Sequence, residues 1–430
     1  MATGIIDLDL TPPAAGHHRR RFTFAGPVLV VAVVLAALLT LGAAASPRRG
    51  ITHLLSAGGQ PAAAFVLSDD ALFTASFGNN PNSESAVRRW NLPGGALGWA
   101  VALPQNVQNL VYDQASGVLM ARSANEPKVT FLDGATGQVL WHDESPNSVV
   151  RSLTGGRVLM ATDLEEQRCT LRLLDARSGS ELWRRTVDNA YLGDDERIGA
   201  PPTRLVAADA AGHAVVLNLA DGAEVARGDL QVEIVPHLDN TLGWGDVGLS
   251  VVGDTLYVSR RDQGADTLAA WSLATLRLRW RSTVGATGNV LDCGPALCVA
   301  EQEAVAAVDR RDGRMLWRRS GLVLASVYDD RSLIGYEGTY EPQALLLDPA
   351  TGAVRQRLGG SIDLGGVLLR VDTVRLGRTW VEVTAADGAL HVVGVLETAA
   401  SFGCELHRPY LACPTTVGPT QVWRIPLQPT

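Results

Sequence analysis

One nine-residue element returns along this chain at steps of roughly 40 residues: an Asp or Asn, three residues, a Gly, three more, and often a Trp. It stands at Asn91–Trp99, Asp133–Trp141, Asp175–Trp183, Asn218–Ala226, Asp309–Trp317 and Asp348–Gln356, with weaker copies at Ser272–Trp280 and Thr384–Val392. The glycines are Gly95, Gly137, Gly179, Gly222, Gly313, Gly352 and Gly388, and Leu276 fills the slot between Gly222 and Gly313. A unit of this length cannot bury its own apolar face, so copies must stack on one another, and a step near 40 residues suits four-stranded propeller blades. The element itself reads as a turn. An Asp side chain accepts from nearby backbone amides, and Gly tolerates the left-handed conformation that closes a short hairpin between a blade's third and outermost strands.

The rest of the pattern agrees with an all-β chain. After residue 60 there is no long 3.6-residue periodicity, only short runs such as VLMAR, VVLNL and TLYVS bounded by Gly, Asp and Asn. Trp99, Trp141, Trp183, Trp280 and Trp317 share one register, where a large ring most simply packs between blades. Trp90, Trp271, Trp380 and Trp423 fall one strand earlier, and Trp244 falls outside the pattern, in HLDNTLGWGDVG. Eight copies of the turn point to eight blades. Merging the weak segments 204–230 and 366–396 would give seven, and counting a closing blade from TQVWRIPL (420–427) and the early segment 51–57 separately would give nine.

The Asp-x-x-x-Gly-x-x-x-Trp repeats resemble the pyrroloquinoline-quinone (PQQ)-type repeats of the quinoprotein-like β-propellers and cover residues from about 62 to 426. That resemblance implies the propeller fold. For activity it implies one of two things: a PQQ- and calcium-dependent dehydrogenase, or a non-catalytic scaffold similar to the propeller lipoprotein of outer-membrane protein assembly. The dehydrogenases pair a calcium site and a catalytic Asp with a disulfide of adjacent cysteines. No Cys-Cys pair occurs here, and no residue carries over to a cofactor position, so no cofactor is expected.

Residues 25–45 (AGPVLVVAVVLAALLTLGAAA) carry no charge, and at about 1.5 Å per residue they match a bilayer core of about 30 Å. His17 to Arg21 precede the run and only Arg48 and Arg49 follow closely, which favours a cytoplasmic N-terminus. The expected organisation is a cytoplasmic tail over 1–24, a signal-anchor transmembrane helix over 25–45, a linker with a ring-closing strand over 46–61, and an extracytoplasmic propeller over 62–430. The expected location is a bacterial cytoplasmic membrane. Ala43-Ala44-Ala45 would also suit signal peptidase, leaving secretion after cleavage as the other reading.

The formal charge is −8, and the three arginines and two aspartates of residues 1–45 put −9 on the remainder, which argues against nucleic acid as a partner. Cys293 and Cys298 bracket one tight turn, Cys404 and Cys413 another; the spacing suggests two local disulfides and an oxidising compartment, and neither pair has zinc spacing. Cys169 reads as a buried thiol.

No Gly-x-Ser-x-Gly elbow, phosphate loop or His-x-x-x-His pair is present. His142-Asp143-Glu144 reads as a solvated loop, and Asp194, Asp195 and Glu196 form an acidic insertion without the alternating ligands of a calcium loop. The sequence thus points to a non-enzymatic, membrane-tethered binding or scaffold module for envelope proteins, peptides or glycans. A PQQ-dependent dehydrogenase and an extracytoplasmic sensor are the alternatives. The candidate binding loops are 77–85, 188–203 and 236–248, with Trp244, Asp194, Asp195 and Glu196 as the candidate contacts.

Overall fold

The computed structural model describes residues 50–426, with breaks at 59–61, 77–84, 124–127, 146–147, 163–167, 189–190, 195–201, 233–246, 261–266, 285–289, 302–303, 330–331, 339–342, 372–377, 385–388, 398–402 and 416–417. All the described residues fall in the single unit Arg49–Thr430. They build four-stranded antiparallel sheets, nine in number. In chain order blade 1 spans 62–103, blade 2 107–143, blade 3 149–188, blade 4 191–229, blade 5 247–282, blade 6 290–320, blade 7 322–359 and blade 8 361–396. Each is a meander whose strands pair in sequence order.

Blade 9 is made from both ends of the chain. Its first three strands are Glu405–His407, Tyr410–Cys413 and Thr420–Arg424, and its fourth is Thr52–Ala57, which pairs antiparallel with Thr420–Arg424. The ring therefore has nine blades and not the eight expected from the turn count. The segments 204–230 and 366–396 belong to blades 4 and 8, each a complete sheet, so the seven-blade reading falls as well.

The core lies between blades. Nine hydrophobic clusters of buried side chains are present among the described residues, and each joins one blade to the next. The junction of blades 9 and 1, for example, packs Leu55, Tyr410 and Val422 against Leu67 and Leu72. Second and third strands are almost wholly apolar and buried, such as Val118–Ser123 and Ala304–Val308, because neighbouring blades cover both of their faces. Fourth strands alternate between covered and exposed positions, as an edge with one buried face must.

No helix among the described residues is long and apolar enough to cross a membrane, and residues 25–45 lie outside them.

Candidate functional site

The repeat element is a joint between blades. In blade 2 the Gly137 N–H donates to Asp133 O at 2.8 Å, with Gly137 at φ +75°, and Asp133 Oδ1 accepts from Ala135 N and Thr136 N. Asp175, Asn218, Asp309 and Asp348 repeat the side-chain contact in blades 3, 4, 6 and 7. The left-handed glycine turns the chain, and the Asp or Asn satisfies amides that the turn leaves without a ladder partner.

In blades 2, 3, 4, 6 and 7 the turn then receives the Trp of the preceding blade. Trp99 Nε1 donates to Gly134 O at 3.0 Å, Trp141 to Ala176 O at 2.9 Å, Trp183 to Leu219 O at 3.0 Å, Trp280 to Arg310 O at 2.9 Å and Trp317 to Pro349 O at 2.9 Å. The indole lies flat on the next blade's glycine. A Cβ placed on Gly137, Gly179, Gly222, Gly313 or Gly352 would stand 2.4–2.7 Å from the ring, so the glycine is required by space as well as by its φ. A bulge just ahead of the Trp aims it there. Register shifts at Phe131/Leu132, Leu173/Leu174, Ala270/Trp271 and Ala307/Val308 each leave one extra residue in the fourth strand.

Two junctions invert the joint. Blade 4 has Ala226 in the Trp slot, and blade 5 answers with Leu276, at φ +47°, where the glycine would be. Leu276 Cβ fills the space over Gly228, 2.8 Å from where a Cβ on that glycine would lie. At the junction of blades 8 and 9, Ile51 lies over Gly394 in the same way. Ring closure uses a third version, with Leu55 of the N-terminal strand packed on the Gly95 turn of blade 1.

Closure also has a polar side. Glu405 Oε2 accepts from Leu67 N at 2.9 Å, and the His407 ring meets Asp69 Oδ1 at 2.6 Å, both joining blade 9 to blade 1. Gln114 of blade 2 donates to Asp69 Oδ2 at 3.0 Å, and buried Asp113 accepts from Gly155 N and Gly156 N of blade 3. Four successive blades are thus linked through their first turns. Burial raises the Glu405 carboxyl above the usual range, against the Leu67 amide and the His407 charge. In the turns the shift is opposite: the Arg177 guanidinium holds Asp133 low, and Arg355 does the same for Asp348.

The sequence-derived candidates separate clearly. Cys293–Cys298 and Cys404–Cys413 are disulfides, each tying the first strand's end of its blade to the second strand, in blades 6 and 9. Cys169 is buried. Trp99, Trp141, Trp183, Trp280 and Trp317, with Gly137, Gly179 and Gly313, are the joint described above. Asp194 pairs through its backbone with Leu205 at the end of the first strand of blade 4. Asp195, Glu196 and Trp244 lie outside the described residues, as do 77–84, 189–190, 195–201 and 236–246 of the candidate loops. His142 and Glu144 are exposed, with Glu144 paired to Lys128, and no cluster of three metal-ligating side chains occurs among the described residues. The polar closure seam was not foreseen. Glu405 and His407 each stand more than 300 positions from their partners Leu67 and Asp69 in sequence, and only the ring brings them together.

Fold and joints together define a closed β-propeller of PQQ-type repeats. A family model described as outer membrane protein assembly factor BamB matches residues 83–232 and 210–360, more than half of the chain, and the chain belongs to that family. Solved structures similar to it include BamB from Moraxella catarrhalis, at 17% identity over 88% of this chain and 99% of that one, with a TM-score of 0.49. The computationally designed Ika8 protein (12% identity, 87% and 99% covered, TM-score 0.46) and Saccharomyces cerevisiae Sqt1 (12%, 81% and 97%, 0.47) are further examples. No curated protein matches the chain.

Proposed function

We propose that this chain is a non-enzymatic binding or scaffold propeller of the bacterial cell envelope. In this reading residues 1–24 are cytoplasmic, 25–45 span the cytoplasmic membrane, 46–61 lead into the ring, and the propeller stands outside, presenting its surface to envelope proteins, peptides or glycans. One observation carries it: membership of a family described by a role in outer-membrane protein assembly, in a chain whose repeat Asp, Gly and Trp residues are engaged in joining blades. Two disulfides support an oxidising, extracytoplasmic compartment.

The test is photo-crosslinking of the full-length chain in its own membrane, with the label placed in turn on each face of the ring. Reproducible capture of one envelope protein from one face is the expected result. Uniform background from all faces, or stoichiometric uptake of PQQ with calcium by the purified chain, would overturn the reading.

A further inference from the structure

The junction that closes the ring changes character along its height. Counted from the first-turn end, the Ala71–Asn91 pair is the first rung between the second and third strands of blade 1, and Tyr410–Arg424 is its counterpart in blade 9. Over the lower rungs the facing side chains are apolar, with Leu72 and Trp90 on blade 1 and Tyr410, Ala412, Val422 and Leu55 on blade 9. Above them the alternation of side chains brings three polar groups to the same gap. Thr74 and Arg88 form the fourth rung of blade 1, on the face of Leu72 and Trp90. Thr420 follows the fourth rung of blade 9, on the face of Val422, and pairs with Ala57 of the same apolar cluster.

All three are donors without an acceptor. Arg88 is half-buried and makes no ion pair or side-chain hydrogen bond with a described residue. Thr420 is 0% exposed, and its Oγ1 has no hydrogen-bond partner among the described residues. Thr74 is buried, and its Oγ1 accepts from Trp90 Nε1 at 3.0 Å, which leaves the hydroxyl proton to donate elsewhere. The carboxylate that blade 9 turns to this junction, Glu405, stands on the inner strand beside Ala412 and is committed to Leu67 N. Donors left unsatisfied at a buried junction cost stability, and an oxyanion placed among them recovers it. On the outer side Arg88 is flanked by Ala100, its partner on the fourth strand, and by Ala102; both are exposed and too short to cover a guanidinium.

We propose that this junction is a carboxylate-binding site, in which Arg88, Thr74 and Thr420 hold a monoanionic carboxylate between blades 9 and 1. A single guanidinium balances one negative charge, its planar fork matches the two oxygens of a carboxylate, and each hydroxyl adds a donor. Blade 9 is built from both ends of the chain, so a ligand that joins it to blade 1 strengthens ring closure. The site stands apart from the scaffold reading, and neither depends on the other.

The probe is sodium acetate, titrated at constant ionic strength against the full-length chain in detergent, with acetamide as the neutral molecule of the same shape and thermal melting as the readout. Wild type should melt higher by roughly 1–3 °C, saturably, with acetate and not with acetamide. Arg88→Gln should weaken the acetate midpoint about tenfold or more and Thr420→Val about threefold. Arg122→Gln, at an exposed arginine of blade 2, should leave it unchanged. Without acetate, Arg88→Gln and Thr420→Val should melt at or above the wild-type temperature, because each removes a donor that has no acceptor; residues that served structure alone would lower it. An acetate response in Arg88→Gln equal to that of wild type, an equal response to acetamide, or no response in wild type would overturn the proposal. Repeating the titration with the peptide acetyl-Gly-Asp-Gly-amide separates the sources. A midpoint at least about tenfold below that of acetate assigns the site to a carboxylate of a partner protein, and any higher midpoint assigns it to a free small carboxylate.

Discussion

The inverted junction between blades 4 and 5 shows that a blade joint can be built in two ways, with Trp over Gly or with a small residue facing Leu. Converting one into the other tests whether the joint is a matched pair. The junction of blades 5 and 6 is suitable, because Trp280 is 8% exposed and a Cβ on Gly313 would stand 2.4 Å from its ring. Gly313→Leu alone should cost about 1–2 kcal/mol for a branched side chain at φ +72° and about 1–3 kcal/mol more for displacing the indole. Trp280→Ala alone should cost about 3–5 kcal/mol, from lost burial, the cavity left behind, and Arg310 O losing its donor.

Combining them with Ser282→Gly reproduces the Ala226, Gly228 and Leu276 arrangement, since Ser282 stands where Gly228 does in blade 4. The leucine then fills the space the indole leaves. The triple variant should be more stable than the sum of its parts by about 2 kcal/mol, within the range of couplings between touching residues. Urea unfolding followed by far-ultraviolet circular dichroism, with midpoints compared at equal slopes, measures it. Strict additivity, or a triple variant worse than the sum, would refute the matched-pair account and leave the 4–5 junction without an explanation.

Three further outcomes are expected. Leu55→Ala should cost about 2–4 kcal/mol and free the N-terminal strand first, seen as early loss of amide protection over 52–57 in hydrogen exchange. Removing either disulfide should lower stability by about 2 kcal/mol, the loop-entropy value for such short spans, measured as the midpoint shift of Cys293→Ala/Cys298→Ala or Cys404→Ala/Cys413→Ala. Glu405 has a carboxyl raised by burial, so the folded ring binds its proton more readily than the unfolded chain does. Its contribution is greatest below the ordinary glutamate range and is lost as pH rises through the raised value. Glu405→Gln keeps an acceptor for Leu67 N and should flatten that part of the stability profile; an unchanged slope would show that the residue does not titrate there.

The fold was legible in the sequence because its joint is local. Asp133, Gly137 and Trp141 fall in one stretch of nine residues, and the chemistry of an Asx-stabilised, left-handed turn followed by a large ring can be read without knowing what the ring touches. What the ring touches could not be read. Trp141 meets Gly179, a glycine of the next copy, and nothing within one copy says so. Leu276 looked like a degenerate repeat, and only its contact with Gly228 shows that it compensates for Ala226. The closure seam was hidden for the same reason. His407 ends a short strand and Asp69 sits in an ordinary turn, and their pairing exists only once the chain's two ends share a blade.

The blade count failed for a reason contained in the motif itself. The repeat marks the connection between a blade's third and fourth strands, so counting it counts connections and not blades. In blade 9 the third strand ends at Arg424 and the fourth begins at Thr52, so this connection is where the chain is broken. A ring whose shared blade is split at this connection has one copy fewer of that turn than it has blades. Gly50 and Ile51 stand in its place, packed on Val393 and Gly394 of blade 8, and restore with the incoming chain the contact that a ninth turn would have made.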